Sequence, residues 1–480
     1  MHFEQGHAAG RRHTGESRRS AARPSGSSKA WQKGDRLRTR ASLRILAAGA
    51  AALAATAIGA AAPAQAASAG SLDPSFGTGG LAAVPADFSA GTMLPQPDGT
   101  ILVLATVTNT VTDGAEFGVL RYNANGTLDT SFGTGGEAVA SFPGATAEPA
   151  GIFVQSDGKI VVAGSEDIPN QGENAAVVRF NADGTLDTSL GSSGEVTTHF
   201  PSGNANLPGN DTANTVLVQA DGKILIGGGL ETCVNPRNAQ CISETALARL
   251  NPDGTLDTSF GSGGFAVQNA GSFGVIAMGE DSAGDIFVQN GIGGGQPTLG
   301  EYSPAGVPDS TVTFPSSSSI TVSSTGIGFQ SNGTYAEGQS VKVTTRQSGG
   351  PTAASVVVNS LPSGAPVAGF SNPPFDYANE IGQGQNTIEA LAFQSNDDVV
   401  AAGVRCSGTG KFCTGSDELG VARLTATGSL DSTFGAGGVT TFSFSSGLSA
   451  LAIQSDGDIL IAFQNCSSTS CESSIARVLG

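Results

Sequence analysis

The chain has 480 residues with 69 glycines, one tryptophan and 13% charged residues, the composition of a turn-rich β protein with few helices. Acidic residues outnumber basic ones by 41 to 23, and the basic ones concentrate near the amino terminus. Beyond that terminus the chain is strongly acidic, which excludes nucleic acid and anionic membranes as favoured partners.

Residues 1–66 predict an export signal with a long basic leader. Eleven Lys and Arg and three acids lie within the first 44 residues, and an uncharged, Ala-rich run from Ile45 to Ala66 ends in a small-x-small site. An uncleaved membrane anchor is the alternative, because this run is long enough to cross a bilayer. Removing the leader leaves 12 basic and 38 acidic residues, a net charge of −26. We therefore expect a secreted or cell-surface bacterial protein without a membrane span after cleavage.

A repeat of about 60 residues fills residues 67–480, which we predict to be a single domain. Each unit has two apolar runs joined by a turn such as Asp-Gly, a third run carrying Arg, and a stretch such as NPDGTLDTSFGSGG (Asn251–Gly264). Asp-Gly between apolar runs is a strong hairpin signal. Seven units are counted from the turns Asp98-Gly99, Asp157-Gly158, Asp221-Gly222, Ala283-Gly284, Asn332-Gly333, Asn396-Asp397 and Asp456-Gly457.

Short strands in seven such units predict an all-β fold: a seven-bladed β-propeller of four-stranded antiparallel blades. A parallel β-helix is the alternative, but its coils are much shorter. The last unit ends at Arg477 without the stretch that follows the other arginines, whereas a truncated copy begins at Leu72. We therefore predict a closed ring, in which residues near Leu72 to Phe76 supply the outer strand of the carboxy-terminal blade.

The spacing of Arg and Asp predicts a repeated cross-strand ion pair. If Ala182-Asp183-Gly184 is a three-residue loop with Gly184 at positive φ, then Phe180 faces Leu186 and Arg179 faces Asp187. The same spacing, together with ring closure, gives the pairs Arg121–Asp129, Arg179–Asp187, Arg249–Asp257, Arg423–Asp431 and Arg477–Asp73. Phe132, Phe260 and Phe434, each three residues after the Asp, are predicted core residues, with Leu190 in the same place in one unit.

Six cysteines form three local pairs, which in an exported chain predicts disulfides. The pairs are Cys233 with Cys241, Cys406 with Cys413, and Cys466 with Cys471. Metal binding is the competing interpretation, but it usually requires four ligands at closer spacing, and the chain after the leader has one histidine, His199.

The pattern RxNxDGTLDxSFGxGG, followed by QSDGKI and an apolar run, resembles the delta-60 repeat family of bacterial exported proteins, and more distantly NHL-type propeller repeats. The resemblance covers most of residues 71–480 and is weak from about Pro304 to Gln394. It implies a propeller-like exported protein. It implies no catalytic residue, because the family carries no catalytic signature.

Long and variable connections are expected on one face of the propeller, and all three cysteine pairs lie in them. Such a face suggests a binding surface, although unconstrained drift of the loops is the alternative. These connections include Ser165 to Asn174, Gly229 to Thr245, Ser371 to Thr387 and Val404 to Glu418.

Catalytic candidates are few. His199 lacks an accompanying serine elbow, and the acid pairs Asp376 with Glu380 and Glu166 with Asp167 are of a kind that arises by chance in an acidic chain. No D-x-D-x-D-G run for calcium and no phosphate-binding loop is present. We expect no cofactor and no metal site.

The resulting hypothesis is an exported, non-enzymatic, monomeric β-propeller that binds an unidentified protein or glycan ligand at its long-loop face, or acts as a scaffold. Two alternatives stay open. One is a propeller hydrolase or lyase acting on a carbohydrate or lactone through carboxylates, and the other is a purely structural envelope protein.

Overall fold

The apolar runs form β-strands, and each strand is antiparallel to its hydrogen-bonded neighbours in the sheet. The computed structural model describes residues 67–480 within the compact unit Gln65–Gly480. The described range excludes 110–113, 170–171, 202–209, 236–239, 269–273, 282, 291–297, 314–319, 330–333, 344–352, 361–364, 367–374, 377–387, 407–416, 444–446 and 467–470.

The described strands form seven sheets, which we number in chain order. Sheet 1 contains β2 (Phe88–Pro95), β3 (Ile101–Asn109), β4 (Gly114–Tyr122) and β5 (Glu137–Ala140). Sheet 2 contains β6 (Thr146–Val154), β7 (Ile160–Ile168), β8 (Gly172–Phe180) and β9 (Glu195–Thr198). Sheet 3 contains β10 (Asn210–Val218), β11 (Ile224–Asn235), β12 (Gln240–Leu250) and β13 (Phe265–Gln268). Sheet 4 contains β14 (Val275–Glu280), β15 (Ile286–Asn290), β16 (Thr298–Tyr302) and β17 (Pro308–Thr313).

The remaining sheets complete the count of six four-stranded sheets and one five-stranded sheet. Sheet 5 contains β18 (Ile320–Phe329), β19 (Thr334–Val343), β20 (Ala353–Ser360), β21 (Ala365–Pro366) and β22 (Phe375–Asp376). Sheet 6 contains β23 (Ala390–Phe393), β24 (Val399–Cys406), β25 (Asp417–Leu424) and β26 (Val439–Phe442). Sheet 7 contains β27 (Leu448–Ile453), β28 (Ile459–Cys466), β29 (Cys471–Val478) and β1 (Leu81–Ala83).

Two details of the predicted sheets are wrong. Sheet 5 has five strands instead of four, because β21 and β22 both pair with β20. The strand that joins β29 is β1, not the segment Leu72 to Phe76, although Leu72 forms an isolated bridge with Val478. The physical reason is that Asp73 to Phe76 forms a turn, in which the amide of Phe76 donates to the carbonyl of Asp73 at 3.1 Å.

The core lies between consecutive sheets. One cluster of fully buried side chains joins sheets 1 and 2, and similar clusters join 2 to 3, 3 to 4, 6 to 7 and 7 to 1. The second strand of a sheet is therefore covered on both faces, and all five residues of β15 are buried. Burial on both faces explains why these strands are apolar at nearly every position instead of alternating.

Two of the four long connections predicted on one face are largely extended hairpins, and the other two, Ser371 to Thr387 and Val404 to Glu418, lie mostly outside the described residues. The predicted loop Ser165 to Asn174 consists mostly of the ends of β7 and β8, and Gly229 to Thr245 mostly of β11 and β12. Pairing the two strands satisfies backbone groups that a long loop would leave to solvent.

Candidate functional site

The predicted ion pair recurs in five sheets with one geometry, and in four of them the predicted turn joins the Arg to the Asp. Gly184 has φ of 85°, Phe180 bridges to Leu186, and the Arg179 Nε donates to the Asp187 Oδ2 at 2.7 Å. The distance from Arg Nε to Asp Oδ2 is 2.7 Å for Arg121–Asp129, 2.8 Å for Arg249–Asp257, 2.8 Å for Arg423–Asp431 and 2.7 Å for Arg477–Asp73.

In three sheets the guanidinium also lies over the predicted core phenylalanine, and in sheet 7 it lies over Phe76, which follows Asp73 at the same spacing. The distance from Arg Cζ to the ring centroid is 4.5 Å for Arg121–Phe132, 4.6 Å for Arg249–Phe260, 4.8 Å for Arg423–Phe434 and 4.7 Å for Arg477–Phe76. Sheet 2 has the buried Leu190 instead of the ring, and there Lys159 Nζ donates to Asp187 at 2.9 Å.

The same arginines connect neighbouring sheets. The Nη1 of Arg249 donates to the carbonyl of Pro304 in sheet 4, and three other arginines make the equivalent contact. These contacts run from Arg477 to Ala124 O, from Arg121 to Ala182 O and from Arg179 to Pro252 O. The repeated stretch therefore stabilises both the turn within a sheet and the contact with the next one.

Lowering the pH is expected to destabilise the protein, because it protonates the aspartates of these ion pairs. Hydrogen bonds from Ser259 and from Arg249, partly opposed by burial, lower the pKa of Asp257 to about 2. A carboxyl whose pKa is depressed on folding contributes stability that is present above its unfolded pKa of about 4 and is lost as pH falls toward 2. Urea unfolding at pH 7, 4 and 2.5 should show this fall, with a smaller fall in Asp257→Asn. An equal fall in the variant would contradict it.

A separate group of carboxylates lies in a cavity of about 290 Å³ formed by sheet 2 and β10 of sheet 3. Its polar lining includes Thr146, Glu148, Ser165, Asp167, Glu173, Thr212 and Asn214. In the described part of the chain, none of its three carboxylates is ion-paired with a Lys, Arg or His.

Strand register brings these acids to one face of sheet 2. Asp167 on β7 lies directly opposite Glu173 on β8, and Glu148 on β6 lies opposite Ser165, two residues from Asp167. Like charges directly opposite each other destabilise a sheet. Burial raises the pKa of Glu173, and Asp167, Glu148 and, most weakly, Glu231 raise it further. The cavity therefore combines a carboxyl whose pKa is raised with two neighbouring acidic side chains.

The acid pairs suggested by the sequence are not the ones that meet here. Glu166 and Asp167 are consecutive on β7, so their side chains leave opposite faces of the sheet, and the buried Glu166 accepts from Asn174 Nδ2 at 3.4 Å. Asp376 pairs through its backbone with Ser355, and Glu380 lies outside the described residues.

One pair of cavity acids could have been found from the sequence. Asp167 and Glu173 are equally distant from the centre of the β7–β8 hairpin, so hairpin symmetry alone pairs them. Glu148 carries no such local signal, because its position depends on the register of β6 against β7.

The remaining candidates are placed as follows. Cys233 lies opposite Cys241 and Cys466 opposite Cys471, and Cys471 is disulfide-bonded. Cys406 ends β24, Cys413 lies outside the described residues, and the pairing scheme stays a prediction.

The described residues contain neither a metal-binding cluster nor a membrane-spanning helix. They contain no group of three or more His, Cys, Asp or Glu placed to hold a metal ion. Within the same residues, no helix has the length and hydropathy needed to cross a membrane.

A family model described as "Domain of unknown function (DUF5122) beta-propeller" matches residues 96–132, 155–190, 242–260 and 408–434. The matched segments fall on the repeated turns and strands, and they support a β-propeller repeat family. No curated protein matches the chain.

Several solved structures resemble the chain at low identity. An α-L-arabinanase from Penicillium chrysogenum is 12% identical, with 83% of this chain and 97% of that chain covered and a TM-score of 0.42. A sialidase from Trypanosoma rangeli is 12% identical, with 83% and 56% covered and a TM-score of 0.42. A polysaccharide lyase, an ulvan lyase, is 11% identical, with 71% and 81% covered and a TM-score of 0.39.

The expectation that the protein is not an enzyme is wrong. The similar structures include an arabinanase, a sialidase and a polysaccharide lyase. An expectation that rested on the lack of a catalytic signature in the sequence therefore gives no ground for excluding catalysis in this fold.

Proposed function

We propose that this protein is an exported β-propeller that binds a glycan in the cavity of sheets 2 and 3 and acts on it by acid–base chemistry. The observation that carries the proposal is the placement of Glu173, whose pKa is raised, opposite Asp167 and near Glu148. General acid–base catalysis needs two groups whose surroundings push their pKa values apart.

The roles follow from these surroundings. Protonated Glu173 donates its proton to the oxygen of the leaving group as the glycosidic bond breaks. Asp167 or Glu148 accepts a proton from the water that attacks the anomeric carbon. If the reaction is an elimination, it accepts the proton from a carbon beside a carboxyl group, and a carbon–carbon double bond forms as the leaving group departs. The polar side chains of Ser165, Thr212 and Asn214 suit hydroxyl groups of a sugar.

The seven sheets are, in this proposal, seven blades of one closed ring. Support comes from β1, which pairs with β29, and from Arg477, which contacts both Asp73 and the carbonyl of Ala124 in sheet 1. The repeated stretch is of the delta-60 type.

We further propose that the protein is secreted or exposed on the cell surface as a monomer. The composition of residues 1–66 supports export. Facing cysteines near the ends of the β11–β12 and β28–β29 hairpins support disulfides that fix these hairpins beside the binding face.

Glu173→Gln tests the chemistry. We expect turnover of a responsive glycan, found in a panel of neutral and uronic polysaccharides, to fall by about 10²–10⁴-fold with binding retained. Reducing-end release and unsaturated-product absorbance measure turnover, and calorimetry measures binding.

Glu195→Gln is the matched control, because burial also raises the pKa of Glu195 but this residue does not line the cavity. Equal turnover by Glu173→Gln and the wild type would contradict the acid role. If the wild type binds a glycan but does not turn it over, the catalytic part of the proposal is wrong and only glycan binding remains. If the wild type neither binds nor turns over any glycan of the panel, the whole proposal is overturned.

A further inference from the structure

Asp211 is a buried carboxylate at the start of β10, the strand that supplies one wall of the cavity. It is 2% exposed, its Oδ2 accepts from the amide of Phe200 at 3.1 Å, and His199 Nδ1 lies 3.5 Å from the same oxygen. Its Oδ1 is buried, and among the described residues it has no hydrogen-bond partner. Ionising a carboxyl in such surroundings is unfavourable.

The charged groups around Asp211 come from three sides. On β11 the residue opposite Asp211 is Leu230, and Glu231 follows it. On β7 and β8 the acids that line the cavity are Asp167 and Glu173. On the connection from β9 the group is His199, whose side chain is 70% exposed.

Of these charged groups, only His199 changes the pKa of Asp211. Burial raises the pKa of Asp211 to about 6, and the amide of Phe200 and the side chain of His199 partly offset the rise. The neighbouring residues Thr212 and Asn214 line the cavity, and Asn214 Nδ2 donates to the carbonyl of Val275 at 2.9 Å.

We propose that Asp211 is a positioning residue that couples the wall of the cavity to pH. Protonated Asp211 keeps the segment His199–Phe200 packed against β10. Ionised Asp211 favours a local opening in which its carboxylate reaches water and the strand carrying Thr212 and Asn214 is released. The consequence for the cavity rests on the proposed function, whereas the opening itself needs no substrate.

The sign follows from proton linkage. A carboxyl whose pKa is raised in the closed form binds its proton more tightly there, so closure is favoured at low pH and opening increases as pH rises through about 6. Because each pKa unit is a factor of ten, a rise of about two units corresponds to an opening constant on the order of 100-fold larger at pH 8 than at pH 4.

Amide hydrogen exchange of the full chain tests the proposal at Phe200 and Asp211 between pH 4 and 8, corrected for the intrinsic exchange rate. Protection in the wild type should fall on the order of 100-fold as pH rises. It should be independent of pH in Asp211→Asn. In His199→Gln the transition should move to higher pH, because the His199 side chain, which lowers the pKa of Asp211, is gone.

Asp183→Asn is the control, since Asp183 is an exposed turn residue, and its profile should match the wild type. Flat protection in the wild type overturns the proposal, and that measurement does not depend on whether Asp211→Asn folds. The two proposals can fail separately. If protection from exchange does not depend on pH but Glu173→Gln loses turnover, only the pH coupling is wrong. If protection depends on pH but the protein neither binds nor turns over a glycan, only the proposed function is wrong.

Discussion

Replacing Phe260 by alanine is expected to lower the free energy of unfolding by about 3–5 kcal/mol, because it removes a fully buried ring and leaves a cavity. The ring belongs to the cluster between sheets 3 and 4, where Leu247 and Tyr302 are also buried. Arg249 lies over one face of the ring, and Gly306 in the next sheet is so close that an added Cβ would be 2.6 Å from it. The surrounding backbone has little freedom to refill the space.

Urea unfolding followed by circular dichroism measures this loss. Val139→Ala is the matched control, because Val139 is 41% exposed and its truncation should change the stability by less than about 0.5 kcal/mol. A loss below about 1 kcal/mol in Phe260→Ala would show that the ring does not anchor the core.

The repeat made most of the fold predictable. Turn chemistry in the repeated stretch, such as Gly184 at positive φ, fixes the register of the hairpin, and the register fixes the Arg–Asp pair. These are local effects that recur in each intact copy. The prediction weakened where copies diverge: in sheet 4, Glu301 occupies the position of the arginine, and a carboxylate cannot donate to a carbonyl of the next sheet.

The candidate site was less predictable, because it depends on contacts between distant segments. Adjacent acids in sequence such as Glu166 and Asp167 separate onto the two faces of their strand, whereas Glu173 meets Asp167 across a hairpin. Glu148 joins them only through the pairing of a third strand. The buried Asp211 gave no sequence signal, since its environment is created by the segment that crosses from sheet 2 to sheet 3.

Replacing Asp73 by alanine is expected to cost about 3 kcal/mol, the lower end of the range for breaking a buried ion pair. Arg477 would lose its close partner and keep the more distant Asp458, whose Oδ2 lies 3.7 Å from the Arg477 Nε. Asp73 and Arg477 are 7% and 8% exposed, and they are 404 positions apart in the sequence. Asp73 also accepts from the amide and hydroxyl of Ser75, so the turn before β1 would lose its capping contacts. The segment that carries β1 would still be held by its three pairs with β29, by backbone hydrogen bonds such as the one from the Asp73 amide to the Arg477 carbonyl, and by the buried Phe76.

Asp129→Ala is the matched control, because Asp129 makes the same contacts to Arg121 and Ser131 but within a continuous stretch of chain. The side chains of Arg121 and Asp129 are 19% and 17% exposed, so water replaces part of what is lost, and we expect a cost of about 1–2 kcal/mol. Thermal and urea unfolding of both variants at pH 7 give the comparison. A larger loss for Asp73→Ala would support closure of the fold, since the pair of Asp73 and Arg477 joins segments 404 positions apart, whereas the pair of Arg121 and Asp129 lies within one hairpin. An equal or smaller loss would mean that the amino-terminal segment packs on sheet 7 without holding the ring together.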